Sequence, residues 1–442
     1  MSDEARPQTR MYILTIGFGT TVAMWFVGYV CRLPPAAVPA PLVLGLMLAC
    51  LVAGGMVIGR HTRAGWKGGV LAGALSALLN LLILGSLLFD PQSEEVVPAA
   101  LVWIPGSFLL SAALAAIGAL LGGLGRARQL TSGQWRSGLV LVAGLATLLV
   151  VVAGGLVTSW EEGLAVPDWP NSFGMNMFLY PVSRMTGGIY YEHAHRLYGS
   201  LVGVTTIVMA VVLWRCDDRR WLKWMALLAV LMVIGQGIMG GLRVTGSPTL
   251  DVAPETEPSL TLAIIHGVFG QVFLVIVLLL WTFTTQTWRE ARAEPTASAG
   301  VERTLLMVLV VLTLVQLVFG ALYRHLFTEA NRLPWPGLVH IALAAIVAVL
   351  AYAGALRAWI KYADRPVLKR LGMALIAVVS IQLLLGLAAL IAILVRREGP
   401  NRPEVWLATA HQAGGAIVFI LAVQLLTWTQ RLLRPVSESV VP

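Results

Sequence analysis

Charge is what this sequence has least of. Asp, Glu, Lys and Arg make up 12% of its 442 residues, against 58% apolar residues. A soluble domain carries roughly twice that charged share, so a water-exposed globular fold is excluded. Cysteine is nearly as scarce. Cys31, Cys50 and Cys216 share no C-x-x-C or other close spacing, and Cys216 lies in a basic loop, which argues against a disulfide framework or a zinc site. No basic tract for nucleic acid is present either, because the net charge of +9 comes from Lys and Arg collected in alternate loops. The opening MSDEARPQTR is polar and the first apolar run is long enough to span, so no cleavable signal peptide is expected. Runs of strand length are missing. Lipid admits only helices or closed barrels, and these runs are far too long for barrel strands. The expected fold is an all-α polytopic membrane protein.

Twelve runs are long enough to cross a bilayer: 11–31, 40–59, 66–89, 97–124, 137–158, 193–214, 221–242, 259–284, 302–323, 335–359, 367–395 and 405–430. Basic loops (Arg60, Arg63, Lys67; Arg126, Arg128, Arg136; Arg219, Arg220, Lys223; Arg289, Arg292, Arg303; Lys361, Arg365, Lys369, Arg370) alternate with acidic ones. The acidic loops hold Asp90, Glu94 and Glu95, then Glu161, Glu162 and Asp168, then Asp251, Glu255 and Glu257. Lys and Arg mark the cytoplasmic side, so both termini are expected there, in a plasma or inner membrane. Arg396, Arg397 and Arg402 depart from this rule on the outer side. Three segments are expected. Residues 1–130 form a four-helix membrane segment with no His, Asp, Glu, Lys or Arg at membrane depth, its fourth helix interrupted by Pro105. Residues 131–290 and 291–442 form two four-helix halves.

The chemistry gathers at Tyr190 to Ser200, YYEHAHRLYGS, at the start of a spanning run. Ionisable groups there are expensive and usually functional. Glu192 and His195 share a helix face, Glu192 and Arg196 are spaced to pair, and His193 points elsewhere. His195, His266, His340 and His411 all lie in apolar runs. The first two and the last two are each 71 apart, and the halves are offset by 145. A small residue follows each by four: Gly199, Gly270, Ala344 and Gly415. Equal spacing with the same neighbour marks an internal duplication. An even-numbered repeat gives both halves one orientation, which places all four histidines at one level near the outer face. Paired histidines with space between helices suit a six-coordinate haem. A second pattern, Q-x-x-x-G, occurs at Gln236/Gly240, Gln316/Gly320 and Gln382/Gly386, with Val151 and Gly155 in the first helix. It reads equally as close packing beside a macrocycle or as an interhelical amide contact. Arg196, Arg243 and Arg324 are candidates for pairing with a haem propionate, against snorkelling to headgroups. The long loop to Tyr191 is a candidate lid.

Glu192-x-x-His195-Arg196-x-x-Gly199 is preceded by Gly154-Gly155-Leu156 and by Gly163-Leu164-Ala165…Pro167-Asp168-Trp169-Pro170. Together with one histidine in each even helix of an eight-helix core, over about residues 135–432, it resembles the heme A synthase family. The resemblance implies oxidation of the C8 methyl of haem O to a formyl group, with water as the oxygen source, giving haem A for terminal oxidases. It implies that His340 and His411 ligate a resident haem b and that His195 and His266 flank the substrate haem O. Glu192 would then stand as the catalytic carboxylate beside the reacting edge. Iron is the metal implied at all four histidines. Expected partners are haem O, haem O synthase and membrane lipid, with a homo-oligomer left open. Two departures stand out: the outer loops lack the cysteine pair of many members, and Thr158 replaces an arginine. A di-haem b-type electron-transfer subunit is the alternative, but it has no use for Glu192 or the Pro-Asp-Trp-Pro loop. A histidine-relay transporter would need midplane polar residues, which are scarce.

Overall fold

The computed structural model describes residues 5–34, 38–90, 95–125, 127–246 and 259–436. Glu94, Arg126, Asp251, Glu255 and Glu257, counted above among the charged loops, lie outside the described residues. Thirteen α-helices follow in order: α1 (Ala5–Arg32), α2 (Ala40–His61), α3 (Gly65–Leu88), α4 (Ala100–Leu124), α5 (Ser132–Ser159), α6 (Gly187–Cys216), α7 (Arg220–Thr245), α8 (Leu260–Thr284), α9 (Gln286–Glu290), α10 (Ala299–Leu326), α11 (Trp335–Leu356), α12 (Pro366–Val395) and α13 (Arg402–Leu432). Twelve of them, all but the short α9, are long and apolar enough to cross a membrane. The chain is an all-α multi-pass membrane protein, and each span overlaps a run expected from sequence.

Local chemistry sets the helix ends. Proline stands in the first turn of α2, α11, α12 and α13, where its missing N–H has no helical partner to lose. Asn401 caps α13, its side chain accepting from Glu404 N at 3.2 Å. Gly246 ends α7 in the left-handed region at φ 68°. The sixth helix starts at Gly187, earlier than the hydropathy break near residue 193. The polar YYEHAHR stretch is therefore helical, and its ionisable groups are carried on a continuous, rigid rod.

Two compact units divide the chain. The first comprises Met1–Ala153, Glu162–Glu257 and Ile276–Gln286; the second comprises Gly154–Glu161, Pro258–Val275 and Thr287–Pro442. In the first unit, α2, α3 and α4 pack at backbone contact. A Cβ on Gly55 or Gly59 of α2 would strike the carbonyls of Ala115 and Ala119, and one on Gly118 or Gly122 of α4 would strike Val52 O and Met56 O. With no hydrophobic drive between helices in lipid, such small-residue seams let van der Waals contact hold them. One buried cluster joins Met11, Tyr12 and Phe18 of α1, Ile58 of α2, Ala72 and Leu79 of α3, Trp135 and Leu139 of α5, and Val212 of α6. The first four helices therefore share a core with the helix that carries His195.

The second unit is built on a closed four-helix bundle in which α10 packs on α11, α11 on α12, α12 on α13, and α13 back on α10. Its core includes Leu306 and Leu309, Val347 and Ala351, Leu375 and Val379, and Ala422 and Leu425. Exposed apolar side chains such as Leu384 and Leu387 on α12 lie on the outside, where lipid tails replace water.

Candidate functional site

Two constellations stand out, one in each unit. In the second, His340 and His411 come from α11 and α13, diagonal members of the bundle, and their ring centroids lie 6.1 Å apart with planes at 82°. An iron held by two imidazole nitrogens at about 2 Å each needs ring centroids about 6 Å apart. The helices that flank the diagonal build the cradle. Gln316 Nε2 on α10 donates to His340 O at 2.9 Å, and Gln382 Nε2 on α12 donates to His411 O at 2.9 Å. One turn on, a Cβ on Gly320 would lie 3.0 Å from His340 Cε1, and one on Gly386 would lie 2.7 Å from His411 Cε1. In this half the Q-x-x-x-G pattern is therefore an interhelical clamp. The amide ties the neighbour's backbone, and the glycine admits the neighbour's imidazole.

His340 Nδ1 is hydrogen-bonded to Gln316 O at 3.0 Å. A ring that donates Nδ1–H to a backbone carbonyl has its orientation fixed, and the Gln316 amide Nε2 lies 3.4 Å from His340 Nε2, the atom that would take a metal. Gln316 Oε1 and Gln382 Oε1 are buried with no hydrogen-bond partner, which leaves acceptors beside the pair. The residues present fit a bis-histidine haem. The space four residues after each histidine is uneven. A Cβ on Gly199 would meet nothing within 4 Å, whereas one on Gly415 would lie 3.3 Å from Gln382 Nε2.

In the first unit, Glu192 is 4% exposed. Its Oε1 pairs with Arg196 at 2.7 Å, and its Oε2 accepts from Val166 N at 3.0 Å. Arg196 also donates to Asp168 O at 2.6 Å, Val166 O at 2.8 Å and Asn171 O at 3.1 Å. The guanidinium thus draws the Val166–Asn171 loop down onto α6. Arg243 does the same at Gly163, donating to its carbonyl at 2.8 Å. Trp169 of that loop fills the space left by Gly241 on α7. Both arginines proposed for propionates in this unit therefore hold loop carbonyls. In the second unit, Arg324 donates to Thr158 O at 2.6 Å and pairs with Glu161 at 3.4 Å.

Several residues that hold this loop were not singled out by sequence. Asp168 is fully buried and accepts from Phe173 N and Gly174 N, both at 2.7 Å. Those two residues have φ of 53° and 76° and turn a hairpin between β1 (Asn171–Ser172) and β2 (Met175–Asn176). A carboxylate on both N–H groups offsets the cost of placing a phenylalanine in the left-handed region. The side chain of His193, on the far side of α6 from His195, hydrogen-bonds Ser172 Oγ at 3.1 Å and packs on Tyr180 at 5.0 Å. The acid in the Pro-Asp-Trp-Pro motif and the first histidine of EHAH were the available signals. Glu162 lies beside this group. Burial, and then the Glu192 carboxylate, push its carboxyl above the ordinary value.

His195 and His266 are both half-buried. His195 lies on α6 in the first unit, and His266 lies on the part of α8 that belongs to the second. Arg396, expected from sequence to be a basic exception on the outer side, also has an explanation. The Arg396 side chain is 3% exposed and pairs with Glu329 at 2.5 Å, Glu404 at 3.0 Å and Glu161 at 3.3 Å. Hydrogen bonding from Arg396 holds the Glu329 carboxyl below its ordinary value.

Residues 137–337 match the model of a family described as COX15-CtaA, cytochrome oxidase assembly protein. Among curated relatives, a heme A synthase of Shouchella clausii is 33% identical over 116 residues, covering 26% of this chain and 37% of that protein. One from Halalkalibacterium halodurans is 34% identical over 101 residues, 22% of this chain and 33% of the relative. One from Rhodopseudomonas palustris is 26% identical over 342 residues, 64% of this chain and 88% of the relative. The chain thus spans about a third of the length of the first two relatives.

Proposed function

We propose that the chain is a member of the heme A synthase family and that it oxidises the C8 methyl of haem O to the formyl group of haem A. In balance, the methyl gains one oxygen from water and releases four protons and four electrons. The relatives' name supports the reaction, and one observation carries it: a carboxylate, Glu192, is buried one turn from His195 and locked to an outer loop. An electron carrier needs no such group. Beside a methyl that becomes electron-poor, a fixed carboxylate stabilises developing positive charge and accepts protons.

His340 and His411 are assigned to haem b, which when bound supplies one-electron redox chemistry. The duplication offset of 145 residues leaves His195 and His266 for haem O, as the resemblance implies. Val166 N–H and Arg196 hold Glu192 in one orientation, so its charge is preorganised. The loop locked by Asp168, Trp169 and His193 excludes bulk water. Alternating Lys and Arg loops support cytoplasmic termini in a plasma or inner membrane, with the haem sites toward the outer face. Arg196, Arg243 and Arg324 act first on the outer loops, and any propionate contact adds to that role. Haem O synthase is a suitable partner because it would hand over a poorly soluble substrate. Extraction of the pigments bound to purified protein tests the reading. Haem A or haem O beside haem B is expected, and haem B alone would refute it.

A further inference from the structure

Oxidation of a methyl at a closed site raises a practical question: how do its protons leave? Glu192 is 4% exposed, and both of its oxygens are engaged, by Arg196 and by Val166 N. Neither oxygen is left free to meet bulk water. The space one turn before it on α6 is not empty, however. Gly188 has no side chain, and the Glu162 carboxylate occupies the place a Cβ would take, with Oε1 2.8 Å from that point. Positions 188 and 192 lie on one helix face about 6 Å apart along the axis. Side chains tilt toward the helix N-terminus, so Glu192 projects toward the turn where the Glu162 carboxylate rests. The loop shares this register, since Ala165 N donates to Glu162 O at 3.1 Å while the next residue, Val166, donates to Glu192. Glu162 is half-buried, and its carboxylate has no ion pair or hydrogen bond among the described residues. The charged groups around the two carboxylates are Arg196 and Arg243.

We propose that Glu162 is the proton relay of this site, taking protons from Glu192 and passing them to water. The proposal rests on the haem A synthase reading. The protonated Glu192 carboxyl gives its proton to the Glu162 carboxylate, directly or through one water, and Glu192 returns to its charged form. Glu162 then loses the proton to bulk water. No electron moves in either transfer. Gly188 is the enabling residue, because any side chain there displaces the relay.

Full-length Glu162→Gln, Glu162→Asp and Gly188→Ala variants test this in membranes of cells that make haem O. Gln keeps the size and the acceptor at the α6 N-terminus but carries no proton. Ala at 188 favours the helix and changes no titratable group. Glu162→Gln and Gly188→Ala should slow haem A formation about tenfold or more, with a larger solvent deuterium isotope effect. Glu162→Asp should keep most of the rate. Infrared H2O/D2O difference spectra of purified protein should show a carboxyl C=O band that Glu162→Gln removes. A wild-type rate in Glu162→Gln would overturn the relay. A slow Glu162→Gln with an unchanged isotope effect and a normal Gly188→Ala would also overturn it, and would leave Glu162 as a helix cap. If the wild-type chain forms no haem A, the enzyme reading falls. The infrared arm then decides alone, and identical carboxyl bands in wild type and Glu162→Gln refute the carboxylate pair.

Discussion

A single methyl group at Gly386 should empty the proposed haem b site while leaving the bundle folded. An alanine Cβ there would stand 2.7 Å from His411 Cε1 and 3.2 Å from Nδ1. Carbon atoms reach ordinary contact near about 3.5 Å, so the imidazole must withdraw by about 0.8 Å. The equivalent change at Gly320 leaves 3.0 Å to His340 Cε1 and 3.3 Å to Nδ1, a withdrawal of about 0.5 Å. Metal–ligand distances tolerate about 0.2 Å, so both shifts exceed what the iron accepts, and Gly386→Ala exceeds it more. Disturbing the shell that orients a ligating histidine typically costs 10- to 100-fold in affinity, or about 1.4–2.8 kcal/mol. Alanine also favours a helix over glycine by up to about 1 kcal/mol, so insertion and helix content should persist. Gly300→Ala on α10 is the control, since nothing lies within 4 Å of its added Cβ. The assay is the haem-to-protein ratio of purified protein with the reduced-minus-oxidised spectrum. Gly386→Ala should lose most haem b, Gly320→Ala less, and Gly300→Ala none. Full haem occupancy in Gly386→Ala, or the reverse order, would refute the cradle.

Glu192→Gln should retain haem b and membrane insertion but lower haem A formation on the order of 10²-fold or more, read by chromatography of extracted pigments. Wild-type haem A in that variant would remove Glu192 from the reaction. His340→Ala or His411→Ala should abolish the resident haem b spectrum while His195→Ala and His266→Ala spare it, and equal loss in all four would merge the two sites. Gly59→Leu, which forces a side chain into Ala119 O on α4, should cost about 1–3 kcal/mol, seen as a lower midpoint in thermal unfolding; no change would break the small-residue seam. A chain starting at Thr131 should insert but lose thermal stability, because Trp135, Leu139 and Val212 lose Met11, Phe18 and Ile58. An unchanged midpoint would make the first four helices a separate appendage.

The helices were legible because lipid forces one solution on every backbone, and hydropathy runs therefore marked all twelve spans. The histidine spacing carried the expectation of a duplication. The glutamine pattern remained ambiguous in sequence because an amide beside a glycine serves a macrocycle or a helix equally. Only the helix pairing showed that Gln316 reaches the backbone of His340 and that Gly320 faces its ring. Asp168 and His193 went unrecognised for a different reason. Each acts on residues 5 to 21 positions away in an irregular loop, where no periodicity records a contact. Glu162 was hidden for the same reason: its partner is an absent side chain, and a glycine at position 188 looks in sequence like any other helix start.

The first repeat also explains where the duplication stops short. The helix of His340 and that of His411 are each tied by a glutamine amide on the preceding helix. The matching position before His195 is Val151, which cannot donate. The helix of His195 is instead anchored from two other directions. On one side, Glu192, His193 and Arg196 fasten it to the loop that precedes it. On the other, Tyr190 donates to Tyr29 O at 2.7 Å and Tyr191 to Pro34 O at 3.2 Å, while Trp25 and Tyr29 of α1 each pack on Tyr198 at 5.5 Å. Aromatic pairs of this kind add about 0.5–1.5 kcal/mol each beyond their buried area. They therefore replace, with side-chain packing, a restraint that the second repeat draws from its amides. In the proposed reaction the helix that carries Glu192 needs that restraint, since a charge aimed at a reacting carbon acts only while it is held still. The segment before residue 130 thus contributes to the site through α1, without bringing a reactive group of its own.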